Sequence, residues 1–204
     1  MRWTDLPAEV GGTLTAQQWL LERAAGLLAT SFGLLAARLH AFAPQGSLPL
    51  VAIEPGALES AWQHLAASRL ERGGLLLGRA LHAQADVQSP VALVHVRAAV
   101  PGLQQDGTEY SLRLHAGVWD AARAALQPGE VVVGWFHSHP DLGAFFSGTD
   151  RRTQAGFFHH PFSLGWVVDP VRGEQAWFCG PDALEMQAGD VVLLDRAAGS
   201  TGLR

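Results

Sequence analysis

Apolar side chains between Thr15 and Phe42 recur at spacings near three and four. Trp19, Leu20, Leu27, Leu28, Phe32, Leu35 and Leu39 fall along one helical face. Thr15 has the hydroxyl to cap the start of that helix, and the stretch 43–47, with Pro44 and Gly46, breaks any helix and predicts a linker. Residues 1–46 therefore read as a helical extension with its linker, and residues 47–204 as the main domain. Past the linker the period shortens. An apolar run at 48–53 precedes Pro55, which opens a helix carrying Leu58, Trp62 and Leu65. Strand patterns follow at 75–81, 91–100, 111–114 and 131–136, the last apolar enough to be buried on both faces, with a helix predicted at 116–126. Ser147 predicts a cap for a short helix over 148–155. Residues 163–168 and 175–179 flank a turn at Asp169, Pro170 and Gly173 and predict a hairpin, and 191–194 a last strand. Strands and helices interleave without a repeat, which predicts an α/β or α+β fold: a mixed β-sheet flanked by helices.

Composition narrows the function classes. The chain has 204 residues, 48% of them hydrophobic and 16% charged, enough for one substantial core with an appendage. A net charge of −5 and the lack of an arginine stripe argue against nucleic-acid binding. The one cysteine, Cys179, can form neither an internal disulfide nor a Cys-rich zinc site, and a reducing cytoplasm fits it. The uncharged stretch 24–37 is shorter than the roughly 20 residues a membrane-spanning helix needs. The acidic residues Asp5, Glu9 and Glu22 do not fit the basic start of a signal peptide. All 14 basic residues are arginine. Lacking lysine would spare a protein that handles lysine-linked conjugates from its own modification, but asparagine is absent too and isoleucine and tyrosine occur once each. Codon usage in a GC-rich bacterial genome explains that pattern more economically.

The chemistry concentrates in one segment, Gly-Trp-Phe-His-Ser-His-Pro from Gly134 to Pro140, followed by Ser147 and Asp150. In extended backbone, side chains two apart share a face, so His137 and His139 can present two nitrogens to one ion. Asp150, at the start of the predicted helix, supplies a carboxylate. Two histidines and an aspartate leave one position of a tetrahedral zinc open, the arrangement of a catalytic rather than a structural site. Hydrolysis at such a site also needs a base, and Glu71, at the entry to the apolar strand 75–81, supplies a carboxylate for it. Ser147 can donate a hydrogen bond to an oxyanion.

The order of these residues, with ten positions between His139 and Asp150, resembles the motif of the JAB1/MPN/Mov34 (JAMM) metalloproteases, over a stretch of about residues 48–194. The resemblance implies an MPN/JAMM, cytidine-deaminase-like fold behind an N-terminal helical extension, with residues 47–204 as the metallopeptidase domain. It implies zinc on His137, His139 and Asp150, Glu71 as general base and Ser147 as oxyanion donor. The implied activity is cleavage after the Gly-Gly-like tail of a ubiquitin-like protein, in precursor maturation or in deconjugation. The implied setting is a bacterial antiphage conjugation system, with activating- or conjugating-enzyme homologues as partners. Processing of a sulfur-carrier-like protein, or a scaffold role without catalysis, are the alternatives. Phe145 and Phe146 lie where a channel for a diglycine tail would run, although one of them can instead anchor the loop in the core. Residues 101–110 resemble the family's variable insertion, which clamps an extended tail by strand addition. His159 and His160 lack a nearby cysteine and read as loop or rim residues, and Cys179 as a small buried hydrophobe.

Overall fold

The structure is a computed structural model and describes residues 14–43, 46–86, 88–102 and 116–195. The strand expected at 111–114 and most of the region 101–110 lie outside the described residues.

Thr15 caps the first helix as its position predicts. Its Oγ1 accepts from the Gln18 N–H at 3.2 Å, while Gln18 Oε1 accepts from the Thr15 N–H at 3.0 Å, satisfying two donors the first turn would otherwise strand. The helix does not run unbroken to Phe42, however. It forms α1 (Ala16–Arg23), one 3-10 turn at Ala24–Gly26, and α2 (Ala29–His40). Gly26 is a poor helix interior residue, Leu27 and Leu28 are extended, and the Leu28 N–H donates to the Asp195 carbonyl at 2.9 Å. The break has a packing consequence. Trp19 and Leu20 of α1 and Leu35 and Leu39 of α2 all bury against Ala52, Leu81, Leu93 and Val192 of the sheet, which one straight helix could not achieve along its length.

The remaining elements are β1 (Leu50–Ile53), α3 (Pro55–Ala66), β2 (Gly73–His82), β3 (Val91–Pro101), α4 (Ala116–Ala125), β4 (Val131–Ser138), α5 (Gly148–Phe157), β5 (Leu164–Asp169), β6 (Glu174–Cys179), β7 (Leu184–Glu185) and β8 (Val191–Leu193). Among the described residues the strands make one sheet in the order β7-β6-β5-β4-β2-β3-β1-β8. It is mixed: β1 runs parallel to β3 and β8, and β4 parallel to β5, while β2 is antiparallel to both β3 and β4. The two-residue strand β7 was not expected.

Period-two alternation divides the core between the faces of this sheet. Phe136, Trp166, Leu76 and Val94 pack with Ala57, Ala61 and Leu65 of α3. Leu75, Leu77, Trp135 and Val167 point the other way, toward Val118 and Ala122 of α4 and the aromatic residues Phe146 and Phe158. Buried in this manner on both faces, β4 carries its histidines into the interior at its C-terminal end. There Gly73 of β2 is paired with His137. The helices are all short of what a bilayer requires: among the described residues, none is long and apolar enough to cross a membrane.

Candidate metal centre

The end of β4 and the start of α5 meet at the site. His137 is the penultimate residue of β4, and His139 continues the extended chain, its N–H donating to the Val168 carbonyl of β5 at 2.8 Å. Asp150 is placed by the α5 cap. Ser147 Oγ accepts from the Asp150 N–H at 3.2 Å, and Asp150 Oδ2 accepts in return from the Ser147 N–H at 2.7 Å, so the residues that start the helix also fix the carboxylate.

His137 Nε2 and His139 Nε2 stand 3.2 Å apart. His137 Nε2 is 3.3 Å from Asp150 Oδ1, and His139 Nε2 is 3.4 Å from Asp150 Oδ2. Ligand atoms held about 2.0–2.1 Å from a tetrahedral zinc stand roughly 3.3–3.4 Å from one another. The spacing of the donors, the mix of nitrogen and oxygen, and their burial therefore fit a zinc ion held by these three residues. Burial also keeps His137 neutral: loss of solvation lowers its pKa, an effect that the adjacent Asp150 opposes without reversing. A neutral imidazole is the form that binds metal. Asp150 is held below the ordinary carboxylate range. Burial would raise it, but the hydrogen bonds it accepts from His137, His139 and Ser147 prevail.

Glu71 enters from the residues just before β2, with its Oε1 3.6 Å from His139 Nε2. Its carboxyl is buried, and its pKa is pushed up to about 7, chiefly by desolvation; His139 works against that rise and the charge of Asp150 adds to it. Two hydrogen bonds tie this segment to Ser138, between the histidines. The Ser138 N–H donates to the Arg72 carbonyl at 2.8 Å, and Ser138 Oγ accepts from the Arg72 N–H at 3.0 Å.

The two phenylalanines of the loop diverge. Phe146 is 5% exposed and stacks on Phe178 with centroids 4.0 Å apart. It lies directly over Gly165, where a Cβ would fall 2.2 Å from Phe146 Cζ. A ring so enclosed anchors the loop, the second of the two readings that the sequence left open for this pair. Phe145 is 48% exposed, with its ring edge-on to His139 at 5.1 Å.

Trp135, Gln154 and Asp169, to which the sequence assigned no part in the site, build its walls. Trp135 stacks on His137, the centroids 4.4 Å apart and the rings within 5° of parallel, and its Nε1 donates to Gln154 Oε1 at 2.7 Å. Asp169 is wholly buried and accepts from the backbone N–H groups of Asp141, Gly143, Val171 and Arg172 at 2.8–3.1 Å. It ties the loop after His139 to the β5–β6 turn. That loop passes through left-handed backbone at Asp141 (φ 64°) and Gly143 (φ 93°), and only the second is at a residue without a Cβ penalty. The Trp in the strand and the Asp before Pro170 were visible, but nothing in their spacing signalled these contacts. His159 and His160 are exposed and stacked on each other at 4.9 Å. Burial pushes the Cys179 thiol up to about 12, so it is inert at neutral pH.

Comparison with known proteins adds to this geometry. The family described as prokaryotic homologs of the JAB domain matches residues 55–180. The NAD(+) hydrolase TcpA of the archaeon Theionarchaea is 31% identical over 107 residues, 52% of this chain and 29% of that protein. The COP9 signalosome complex subunit 5 of Yarrowia lipolytica is 42% identical over 71 residues, 34% of this chain and 18% of that protein. The chain thus spans less than a third of the length of these relatives. A solution structure of a protein from Desulfitobacterium hafniense superposes with a TM-score of 0.53 at 21% identity, covering 76% of this chain and all of the other. At that identity the likeness speaks for the fold alone.

Proposed function

The chain belongs to the family of prokaryotic homologs of the JAB domain, and from that premise and the geometry around His137 we propose that it is a zinc-dependent peptidase cleaving after the Gly-Gly-like tail of a ubiquitin-like protein. The observation that carries this reading is the convergence of His137, His139 and Asp150 at 3.2–3.4 Å, with the Glu71 carboxylate 3.6 Å from His139. A scaffold that had lost catalysis would have no need of a base in that place.

His137, His139 and Asp150 would hold the zinc, which supplies Lewis acidity to a carbonyl and makes water easier to deprotonate at neutral pH. Glu71 takes the proton from the attacking water and returns it to the leaving amine. A carboxyl whose pKa burial has pushed up to about 7 is suited to both transfers. Ser147 Oγ accepts from the Asp150 N–H, which leaves its own O–H free to donate to the oxyanion that forms at the scissile carbonyl. Exposed beside His139, Phe145 narrows the approach, favouring a tail whose last residues lack side chains. Activating- and conjugating-enzyme homologues are the partners this role calls for, because they make the bonds that such an enzyme cuts.

The test is hydrolysis of a panel of ubiquitin-like and sulfur-carrier-like proteins extended past their C-terminal tails, using chain with its zinc content measured. Cleavage at the tail junction, lost on chelation, is the expected result, and the accepted substrates name the pathway. A zinc-loaded, folded chain that cuts no member of the panel would overturn the reading.

A further inference from the structure

We infer that Trp135 and Gln154 are positioning residues, a buried brace that sets the separation of β4 from α5 and with it the placing of His137 against Asp150. The inference rests on the metal-site reading above and deepens it. Trp135 and His137 are two apart on a strand and share a face, and Asp150 and Gln154 are four apart on a helix and also share one. Two cross-links therefore join the same two elements side by side. One is the His137–Asp150 pairing at 3.3 Å, and the other is the bond from Trp135 Nε1 to Gln154 Oε1 at 2.7 Å.

Gln154 is fixed in turn. Its side chain is fully buried, and its Nε2 donates to the carbonyls of Ser163 at 3.0 Å and Gly180 at 3.1 Å, with the Phe158 carbonyl at 3.4 Å. The amide therefore cannot rotate without stranding buried partners, and its oxygen presents one fixed acceptor to the indole. The indole holds the imidazole. Metal-ligating histidines are ordinarily oriented by a hydrogen bond from the nitrogen that does not bind the metal, but among the described residues His137 Nδ1 has no such partner. The parallel Trp135 ring at 4.4 Å orients the imidazole instead.

The test compares Trp135→Phe with Phe158→Leu. The first keeps an aromatic face against His137 but deletes the bond to Gln154. The second loosens the same cluster without touching either the bond or a ligand. Gln154→Met breaks the bond from the other side and serves if Trp135→Phe does not fold. For each chain, zinc affinity is measured by competition with a chelator, the cobalt-substituted absorption spectrum is recorded, and melting is followed without metal. We expect the brace variants to bind zinc about 10–100-fold more weakly with an altered cobalt spectrum, and Phe158→Leu to lower the metal-free melting temperature while leaving affinity and spectrum as in the wild type. Unchanged affinity and spectrum in a folded brace variant overturns the inference alone, as does an equal loss of affinity in Phe158→Leu. A wild-type chain that takes up no zinc overturns the metal-site reading, and the inference with it.

Discussion

His137 Nε2 faces His139 Nε2 across 3.2 Å of buried space, with an Asp150 oxygen 3.3–3.4 Å from each. Three electron-rich groups converge there, and without a shared cation they are held together largely by whatever protons they retain. A bound zinc relieves that arrangement. At free zinc 100-fold above its Kd, linkage gives about 2.7 kcal/mol of stabilisation, and a chain of this size then melts roughly 5–10 °C higher. Scanning calorimetry with and without chelator checks the shift. Asp150→Asn, which preserves the helix cap but not the ligand charge, should remove most of it.

Glu71 gives the metal-free protein a pH signature. Its folded pKa of about 7 lies above the ordinary 4.5, so its contribution to stability is fully present below pH 4.5 and is lost as the pH rises toward 7. His137 has the opposite slope, because its folded pKa is lowered and the unfolded state gains its proton first as the pH falls. The difference between wild type and Glu71→Gln isolates the carboxyl. Urea unfolding in chelator between pH 4.5 and 7 should show the wild type losing stability relative to the variant as pH rises. A difference that does not vary with pH would show that Glu71 is not held in the buried state described.

Phe145 and Phe146 should separate cleanly on mutation. Phe146→Ala removes a ring packed on Phe178 and Gly165 and should cost about 3–5 kcal/mol, measured by urea unfolding. Phe145→Ala should leave the midpoint within about 0.5 kcal/mol of wild type and raise KM for a tail-bearing substrate. Similar destabilisation by the two variants would contradict the loop anchoring.

Asp169 accepts four backbone N–H groups from the loop after His139 and from the β5–β6 turn. Asp169→Ala strands these donors, and at about 1–3 kcal/mol for each buried unsatisfied group the loss should reach several kcal/mol. Burial acts to raise the pKa of this carboxyl, but the four donors hold it below 3.8, so its contribution persists above that value and fades as the pH falls below it. Acid unfolding at a higher pH in Asp169→Asn than in wild type is the expected measurement.

Much of the fold was legible because β1, β3 and β4 are apolar runs with clear breaks and Pro55, Thr15 and Ser147 mark helix starts. The meeting of the two histidines was legible for a different reason: strand periodicity dictates that His137 and His139 share a face, whatever the rest of the fold does. What escaped depends on contacts distant in sequence. The break between α1 and α2 follows from Leu28 binding Asp195 and from two helices needing the same sheet face, and neither registers in a local spacing. Phe145 and Phe146 are chemically identical, and only the glycine at 165, which admits one ring, distinguishes them. Trp135 and Gln154 read as an ordinary strand aromatic and an ordinary helix polar residue until the sheet brings them together.

If Glu71 acts as the base of a zinc peptidase, its loss must show when wild type is compared with Glu71→Gln on a tail-extended ubiquitin-like substrate, with zinc quantified in both. We expect about one zinc per chain in each protein and a kcat for Glu71→Gln lower by about 10²–10⁴-fold. A Glu71→Gln chain that holds its zinc and cleaves at the wild-type rate would contradict that role.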